Sequence, residues 1–321
     1  MPLGEFEVIA RYFTRATPRR DVLLGVGDDA ALLAPPPGQA LVAATDTLVE
    51  GRHFLPGTPP LSVGHNALAV NLSDLAAMGA DPAWALLALS LPDPDERWLE
   101  EFAGGLHALA TRHGVALVGG DTVSGPLVVT VAVLGFVPAD AALRRSGAKP
   151  GDAVYVSGTP GVAAAGLDLL RRGVMTFESR DPRVQRMLFA EPRLALGRAL
   201  RGRASAAMDV SDGLLGDLDK LARASTVGAV LELERLPIAP MLADAYDRAQ
   251  CERLVLHGGD DYELLFTMPA DGAAARAAEI AEQAGCAVHR IGRIVAGEGV
   301  RCLREGREEP VTGGGYDHFA H

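Results

Sequence analysis

The chain has 321 residues, 48% hydrophobic and 22% charged, an ordinary globular composition whose length calls for two domains rather than one. A formal charge of −11 argues against a general binder of nucleic acid or of anionic membranes. Cys251, Cys286 and Cys302 lie far apart with no CxxC, no basic-then-apolar leader follows Met1, and no apolar stretch is long enough to span a bilayer; a soluble cytoplasmic protein without disulfide framework or zinc site is expected.

Residues 5–15 have the spacing of a short amphipathic helix, with Phe6, Ile9, Ala10 and Phe13 on one face. Asp21 to Val26 reads as a strand running into Gly27-Asp28-Asp29. Pro35-Pro36-Pro37-Gly38 breaks the chain, and Ala40 to Ala44 is a second strand ending at Thr45-Asp46. Residues 62–79 are helical in period but apolar nearly all round (Leu68, Val70, Leu72, Leu75, Met78), which predicts a buried helix. Asn71 and Asp74, three apart, share a face of it. An amphipathic helix follows over 95–113, with Leu99, Phe102, Leu106 and Leu109 inward and Gly114 as its stop. Val115 to Val118 is a strand ending at Gly119-Gly120-Asp121, and Leu127 to Val137 is a longer one.

The polar, turn-rich run from Arg144 to Asp152 separates a domain over 1–140 from one over 150–321. The second half opens with a strand (Ala153 to Ser157), a glycine-rich turn (Gly158 to Gly161) and a helix to Arg172. A helix over 192–202 and a strand to Met208 lead into Asp209-Val210-Ser211-Asp212-Gly213. The next helix, Leu214 to Ala224, puts Leu214, Leu218 and Leu221 on one face. Tyr262 to Met268 is a strand directly after Gly258-Gly259-Asp260-Asp261. Helices mixed with hairpin-like β-runs imply α+β layering, a mixed α/β architecture, in both halves.

Five aspartate turns therefore punctuate the chain: Gly27-Asp28-Asp29, Thr45-Asp46-Thr47, Gly120-Asp121-Thr122, Asp209 to Gly213, and Gly259-Asp260-Asp261. Converging carboxylates repel unless cations lie between them, so this pattern points to a hard-metal site with magnesium holding a phosphate-rich ligand. Taken singly, each has an ordinary reading as turn chemistry, and Ser211 as a helix N-cap. Asp74 is different, because a carboxylate in a buried helix needs a partner, either a cation or an arginine. Gly25-Val26-Gly27-Asp28-Asp29-Ala30 fits a dinucleotide fingerprint, but the triple proline leaves no room for the helix that should hold a pyrophosphate. Lys149 and Lys220 are the only lysines, and neither stands in a phosphate loop or a kinase strand motif. A nucleotide here would depend on carboxylate-bound metal, helped by arginine.

In order along the chain, these motifs resemble the thiamine-monophosphate kinase family, within the superfamily of aminoimidazole ribonucleotide synthetase. The segments are Gly4-Glu5-Phe6, Gly27 to Ala30, Thr45 to Phe54, Ala69 to Ala80, Gly119 to Thr122, Arg145 to Asp152, Asp209 to Leu214, Gly258 to Leu264, and Gly315 to Phe319. The resemblance implies a two-domain aminoimidazole ribonucleotide synthetase-like fold. Its N-terminal domain would contribute to a dimeric β-barrel, followed by a C-terminal α/β domain. It implies transfer of phosphate from ATP to thiamine monophosphate in a homodimer, with several Mg²⁺ ions and no nucleic-acid or membrane partner. By motif position, Asp29, Thr45, Asp46, Asp74, Asp121, Asp209 and Asp212 would be magnesium ligands. Gly120, Asp121, Arg145 and Ser211 would contact ATP, and His53, Asp260 and Tyr316 the thiamine phosphate, while Asp28 and Asp261 would remain turn residues. Asp260 stands where the family commonly has glutamate, Gly313-Gly314-Gly315 replaces a stretch that often carries tryptophan, and Met187 to Ala190 replaces a His-Leu-x-Pro stretch. No general base is implied. Other enzymes of the superfamily, or a non-catalytic Mg-nucleotide binder, are the alternatives.

Overall fold

The computed structural model describes residues 3–310. The chain divides into two compact units, one running to Leu75 and taking in Ala80–Asp140, the other built from Ala76–Gly79 and the chain from Ala141 onward.

In the first unit a one-turn helix α1 (Glu5–Val8) runs on into a π-helical turn (Ile9–Phe13). Val8, Tyr12 and Phe13 are buried, whereas Phe6 is 82% exposed and Ala10 is also exposed. The expected face is displaced because a π turn adds a residue to the helical period. Strands β1 (Val22–Leu24) and β2 (Leu32–Leu33) pair antiparallel around the first aspartate turn. No helix follows that turn, as the triple proline requires. Next come β3 (Gln39–Val49), α2 (Pro60–Ala77), β4 (Asp81–Leu91), α3 (Glu96–His113), β5 (Ala116–Ser124) and β6 (Val128–Pro138). The four long strands form a sheet in the order β3-β6-β4-β5, with β4 and β5 parallel across the α3 crossover and the other pairs antiparallel.

Helix α2 is buried as its all-round apolar pattern implied, with Leu68, Leu72 and Leu75 inaccessible. Helix α3 starts where Asp95 accepts the Trp98 N–H (2.6 Å) and stops at Gly114, whose φ is 66°. Two expectations fail here. Thr45-Asp46 and Gly119-Gly120-Asp121 do not end strands, since β3 and β5 run through both. Pairing of β3 with β6 over eleven positions, Gln39 to Val49, and of β5 with β4 overrides the local turn preference of aspartate.

The second unit contains β7 (Asp152–Ser157), α4 (Val162–Arg171), α5 (Pro182–Leu188), α6 (Leu194–Leu200), β8 (Ala206–Val210), α7 (Leu214–Ala224), β9 (Gly228–Glu232), α8 (Pro240–Ala243), α9 (Arg248–His257), β10 (Glu263–Pro269), α10 (Ala273–Ala284), β11 (Val288–Val295), β12 (Val300–Arg304) and β13 (Arg307–Glu309). The strands form one sheet, β13-β12-β9-β11-β7-β10-β8, antiparallel except between β9 and β12. Strand β7 is buried along its whole length, as is β10 up to Met268. Helix α7 lays Leu214, Leu218 and Leu221 into a core with Val154, Val156, Met208 and Leu265, the stripe its leucine spacing predicts.

Candidate active site

In the first unit the Gly27–Ala30 turn and the Gly119–Thr122 stretch of β5 line one cavity of about 830 Å³, with Phe6, Phe13, Leu86 and Leu134 as its apolar wall. Asp28, Asp29 and Asp121 therefore stand on a common hollow although they are far apart in sequence. The Asp28 carboxylate accepts the N–H of Asp29 (2.8 Å), which is turn chemistry, and Asp121 accepts the N–H of Thr122 (2.9 Å). Gly120 has φ 149°, and a Cβ there would lie 1.8 Å from the Leu87 carbonyl oxygen, so only glycine lets β5 approach β4 beside this cavity.

The sheet register places the remaining first-unit residues. Asp46 lies opposite Val131, Val131 opposite Leu87, and Leu87 opposite Gly120, so Asp46 and Gly120 share a row and Asp121 is in the next. β3 and β5 are the outer strands, three strand spacings or ~14 Å apart. One cation does not bridge that distance within a single sheet. Thr45 and Asp46 project to opposite faces because strand side chains alternate, and the Thr45 hydroxyl donates to the Val131 carbonyl (3.1 Å). His53 is exposed just beyond β3, where its Nδ1 accepts the Val49 N–H (3.0 Å); a neutral ring then carries its proton on Nε2. Asp74 is half-buried on α2, beside Asn71, which is fully buried and donates from Nδ2 to the Ala67 carbonyl (3.0 Å).

In the second unit two motifs meet. Asp209 is buried in β8, and the chain then turns through Ser211 and Asp212 into α7. The Asp260 N–H donates to the Ser211 carbonyl (3.0 Å) and the Tyr262 N–H to the Val210 carbonyl (2.8 Å), which ties the two aspartate turns together. Burial pushes the Asp260 carboxyl above the usual range, the Tyr262 hydroxyl opposes this, and repulsion from Asp212 adds to it. Asp212 and Asp260 thus feel one another as like charges, the arrangement that favours a cation. Ser211 is not the helix N-cap, a position Gly213 takes at φ 102°. Arg145 is exposed, and its carbonyl accepts from the Ser225 hydroxyl (3.1 Å). Tyr316 and the Gly313–Gly315 stretch lie outside the described residues.

Asp260 and Tyr262 both have left-handed backbones, φ 64° and 51°, a strain of ~1–3 kcal/mol per residue. A buried network next to them holds that strain. Glu263, 2% exposed, accepts from Arg193 Nη2 (2.5 Å) and Arg186 Nη2 (2.8 Å) on Oε1, and from Arg193 Nε (2.7 Å) and the Ser157 hydroxyl (2.5 Å) on Oε2. Arg186 also donates to the Asp261 carbonyl (2.7 Å). Burial pushes the Glu263 carboxyl up, but the arginines outweigh it and hold it below the usual range. Gly158 is required at this point, because a Cβ would lie 2.2 Å from Glu263 Oε1.

Two family models cover most of the chain: the AIR synthase related protein N-terminal domain matches residues 27–137 and its C-terminal domain residues 149–303. The chain is 48% identical to the thiamine-monophosphate kinase of Salmonella typhimurium, covering all of this chain and 99% of that one. The chain belongs to the thiamine-monophosphate kinase family. Among solved structures of that family, the Stenotrophomonas maltophilia kinase superposes with a TM-score of 0.88 at 45% identity, covering 96% of this chain and 99% of that one. AaThiL complexed with AMPPCP and TMP superposes with a TM-score of 0.76 at 32% identity, covering 89% of each. The fold is thus the two-domain, mixed α/β architecture of the AIR synthase related proteins.

The sequence assigns no role to Asp217, Lys220, Arg186, Arg193 or Glu263, although Glu263 lies within the Gly258–Leu264 motif. The Asp217–Lys220 spacing is a readable helical pair, but its target, the backbone in front of α7, is visible only in three dimensions. Among the described residues no three His, Cys, Asp or Glu side chains are gathered closely enough to hold a metal ion by themselves. The donors at hand are carboxylates in ones and twos. That suits magnesium, which is held by one or two carboxylates plus substrate phosphates and water rather than by an all-protein cage.

Proposed function

We propose that this chain uses ATP to phosphorylate thiamine monophosphate, giving thiamine diphosphate and ADP, in a homodimer whose aspartates carry magnesium. The observation that carries the reading is full-length similarity to thiamine-monophosphate kinases, one of them complexed with AMPPCP and TMP.

Asp29, Thr45, Asp46, Asp74, Asp121, Asp209 and Asp212 would hold the magnesium ions. Gly120, Asp121, Arg145 and Ser211 take the nucleotide side, and His53, Asp260 and Tyr316 the thiamine phosphate. Bound magnesium would neutralise the two polyanions and orient them for in-line transfer. The protein supplies no general base, because a phosphate monoester with a second pKa of ~6 is already nucleophilic at neutral pH. Lys220 does not replace the metal, since Asp212 and Asp217 already engage its ammonium group. Gly120 brings β5 close enough to β4 to present Asp121 at the cavity rim, and His53 offers a donor at Nε2. Three free thiols, Cys251, Cys286 and Cys302, suit the reducing cytoplasm, and among the described residues no helix is long and apolar enough to cross a membrane.

Incubation with Mg²⁺, ATP and thiamine monophosphate, followed by chromatography, should yield thiamine diphosphate and ADP in equal amounts. Nucleotide binding without ADP release dependent on thiamine monophosphate would reduce the protein to a nucleotide binder. Asp46→Asn and Asp121→Asn should each abolish transfer with unchanged circular dichroism; near-normal turnover in both removes them from the metal set.

A further inference from the structure

Helix α7 carries a polar pair that belongs to none of the expected ligand sets. Asp217, fully buried, accepts two consecutive backbone N–H groups on Oδ2, from Ser211 (3.0 Å) and Asp212 (3.1 Å). Its Oδ1 accepts from Lys220 Nζ (2.9 Å), and the same ammonium donates to Asp212 Oδ2 (2.6 Å). One of only two lysines in the chain thus closes a ring through both carboxylates and the turn backbone.

A carboxylate this buried needs compensation, and here it receives three donors. A pair serving stability alone could sit anywhere along the helix. This one reaches back past the Gly213 cap to fix the two residues in front of it, and no side chain performs the usual capping. Lys220 occupies one oxygen of Asp212 and so sets the plane of its carboxylate.

We infer that Asp217 and Lys220 are positioning residues for nucleotide binding: Asp217 sets the Ser211–Asp212 backbone, and Lys220 turns Asp212 so that its other oxygen, Oδ1, faces the incoming Mg-nucleotide. This rests on the assignment of Ser211 and Asp212 to the nucleotide and its metal. The turn is therefore formed before any ligand arrives, and loss of either residue weakens ATP binding more than thiamine-phosphate binding, which the turn reaches through the Asp260 N–H.

The test uses full-length Lys220→Met, Lys220→Arg, Asp217→Asn and Asp212→Asn. In the protein free of nucleotide and Mg²⁺, Ser211 and Asp212 amide hydrogen exchange should be slow in wild type and in Lys220→Arg, and faster in Lys220→Met and Asp217→Asn. Loss of a hydrogen bond to a charged group should raise KM for ATP about tenfold or more in those two. KM for thiamine monophosphate should rise several-fold less than KM for ATP, and Lys220→Arg should recover most of the ATP affinity. Unprotected amides in wild type, an unchanged ATP KM, or equal shifts in both KM values overturns the inference; the first outcome decides even if Lys220→Met does not fold. Calorimetry with Mg-AMPPCP separates the two levels. Normal binding by Asp212→Asn refutes the nucleotide-side assignment itself, whereas weakened binding there with normal binding by Lys220→Met refutes only the positioning role.

Discussion

Asp261 illustrates how far one buried group can depart from its ordinary chemistry. It is 1% exposed between two left-handed residues; its Oδ2 accepts the Gly161 N–H (2.7 Å), and its Oδ1 has no hydrogen-bond partner. Expected as a turn residue, it bonds with its carboxylate a backbone N–H a hundred positions away rather than one in its own turn. Burial pushes its carboxyl well above the usual range, and the Gly161 N–H only partly opposes this. With the folded pKa raised, the stability Asp261 contributes is complete below the unfolded pKa of ~3.9 and is lost as pH rises through the folded value. Asp261→Asn keeps an oxygen for Gly161 and cannot ionise. Thermal melts should show it matching wild type in acid and gaining on it toward alkaline pH. Asp261→Ala strands the Gly161 N–H and should lose ~1–3 kcal/mol in acid, where the wild-type carboxyl is neutral, with the deficit shrinking toward alkaline pH. A wild type that outlasts Asp261→Asn at alkaline pH would contradict the assignment.

At the scale of elements, β5 depends on Gly120. Gly120→Ala drives a Cβ into the Leu87 backbone and should cost about 3 kcal/mol, with loss of transfer as Asp121 is displaced. At Gly119 a new Cβ meets only the end of the Leu86 side chain, 3.1 Å away, and Gly119→Ala should cost about 1 kcal/mol as that side chain shifts rotamer. Denaturant unfolding of both variants checks the contrast, and equal losses would refute it. Helices α3 and α7 were legible residue by residue, because Asp95, Gly114 and the leucine spacing are local signals. The placement of Asp46 and Asp121 inside strands was not, because ladder pairing is set by residues about 85 positions away in one case and 33 in the other. Helix α9 escaped notice because Arg248-Ala249-Gln250-Cys251-Glu252-Arg253 shows no apolar stripe. The order of the site motifs was readable, but not the Asp217, Lys220 and Glu263 supports, whose partners are backbone amides and arginines remote in sequence.

At the scale of the molecule, Leu23, Leu24, Leu32, Leu41, Leu86 and Val123 are all exposed on β1 to β5. Leu41, Leu86 and Val123 belong to the four-stranded sheet and the other three to the β1-β2 pair; large exposed apolar side chains of this kind mark an interaction surface, and a second copy of the chain is the proposed occupant. Sedimentation should show a dimer, and Leu41→Glu with Leu86→Glu should shift it to monomer and lower activity; a monomeric wild type would sink the homodimer. The alternation of Thr45 and Asp46 along β3 has a consequence for how such a chain can change in evolution. Inserting or deleting one residue between Gln39 and Asp46 would exchange the faces these two side chains serve, inverting the chemistry while leaving the strand intact. A change of length that spares this chemistry would have to fall ahead of the strand, in the Pro35–Gly38 loop, so the spacing from that loop to Asp46 constrains the site as firmly as the aspartate itself.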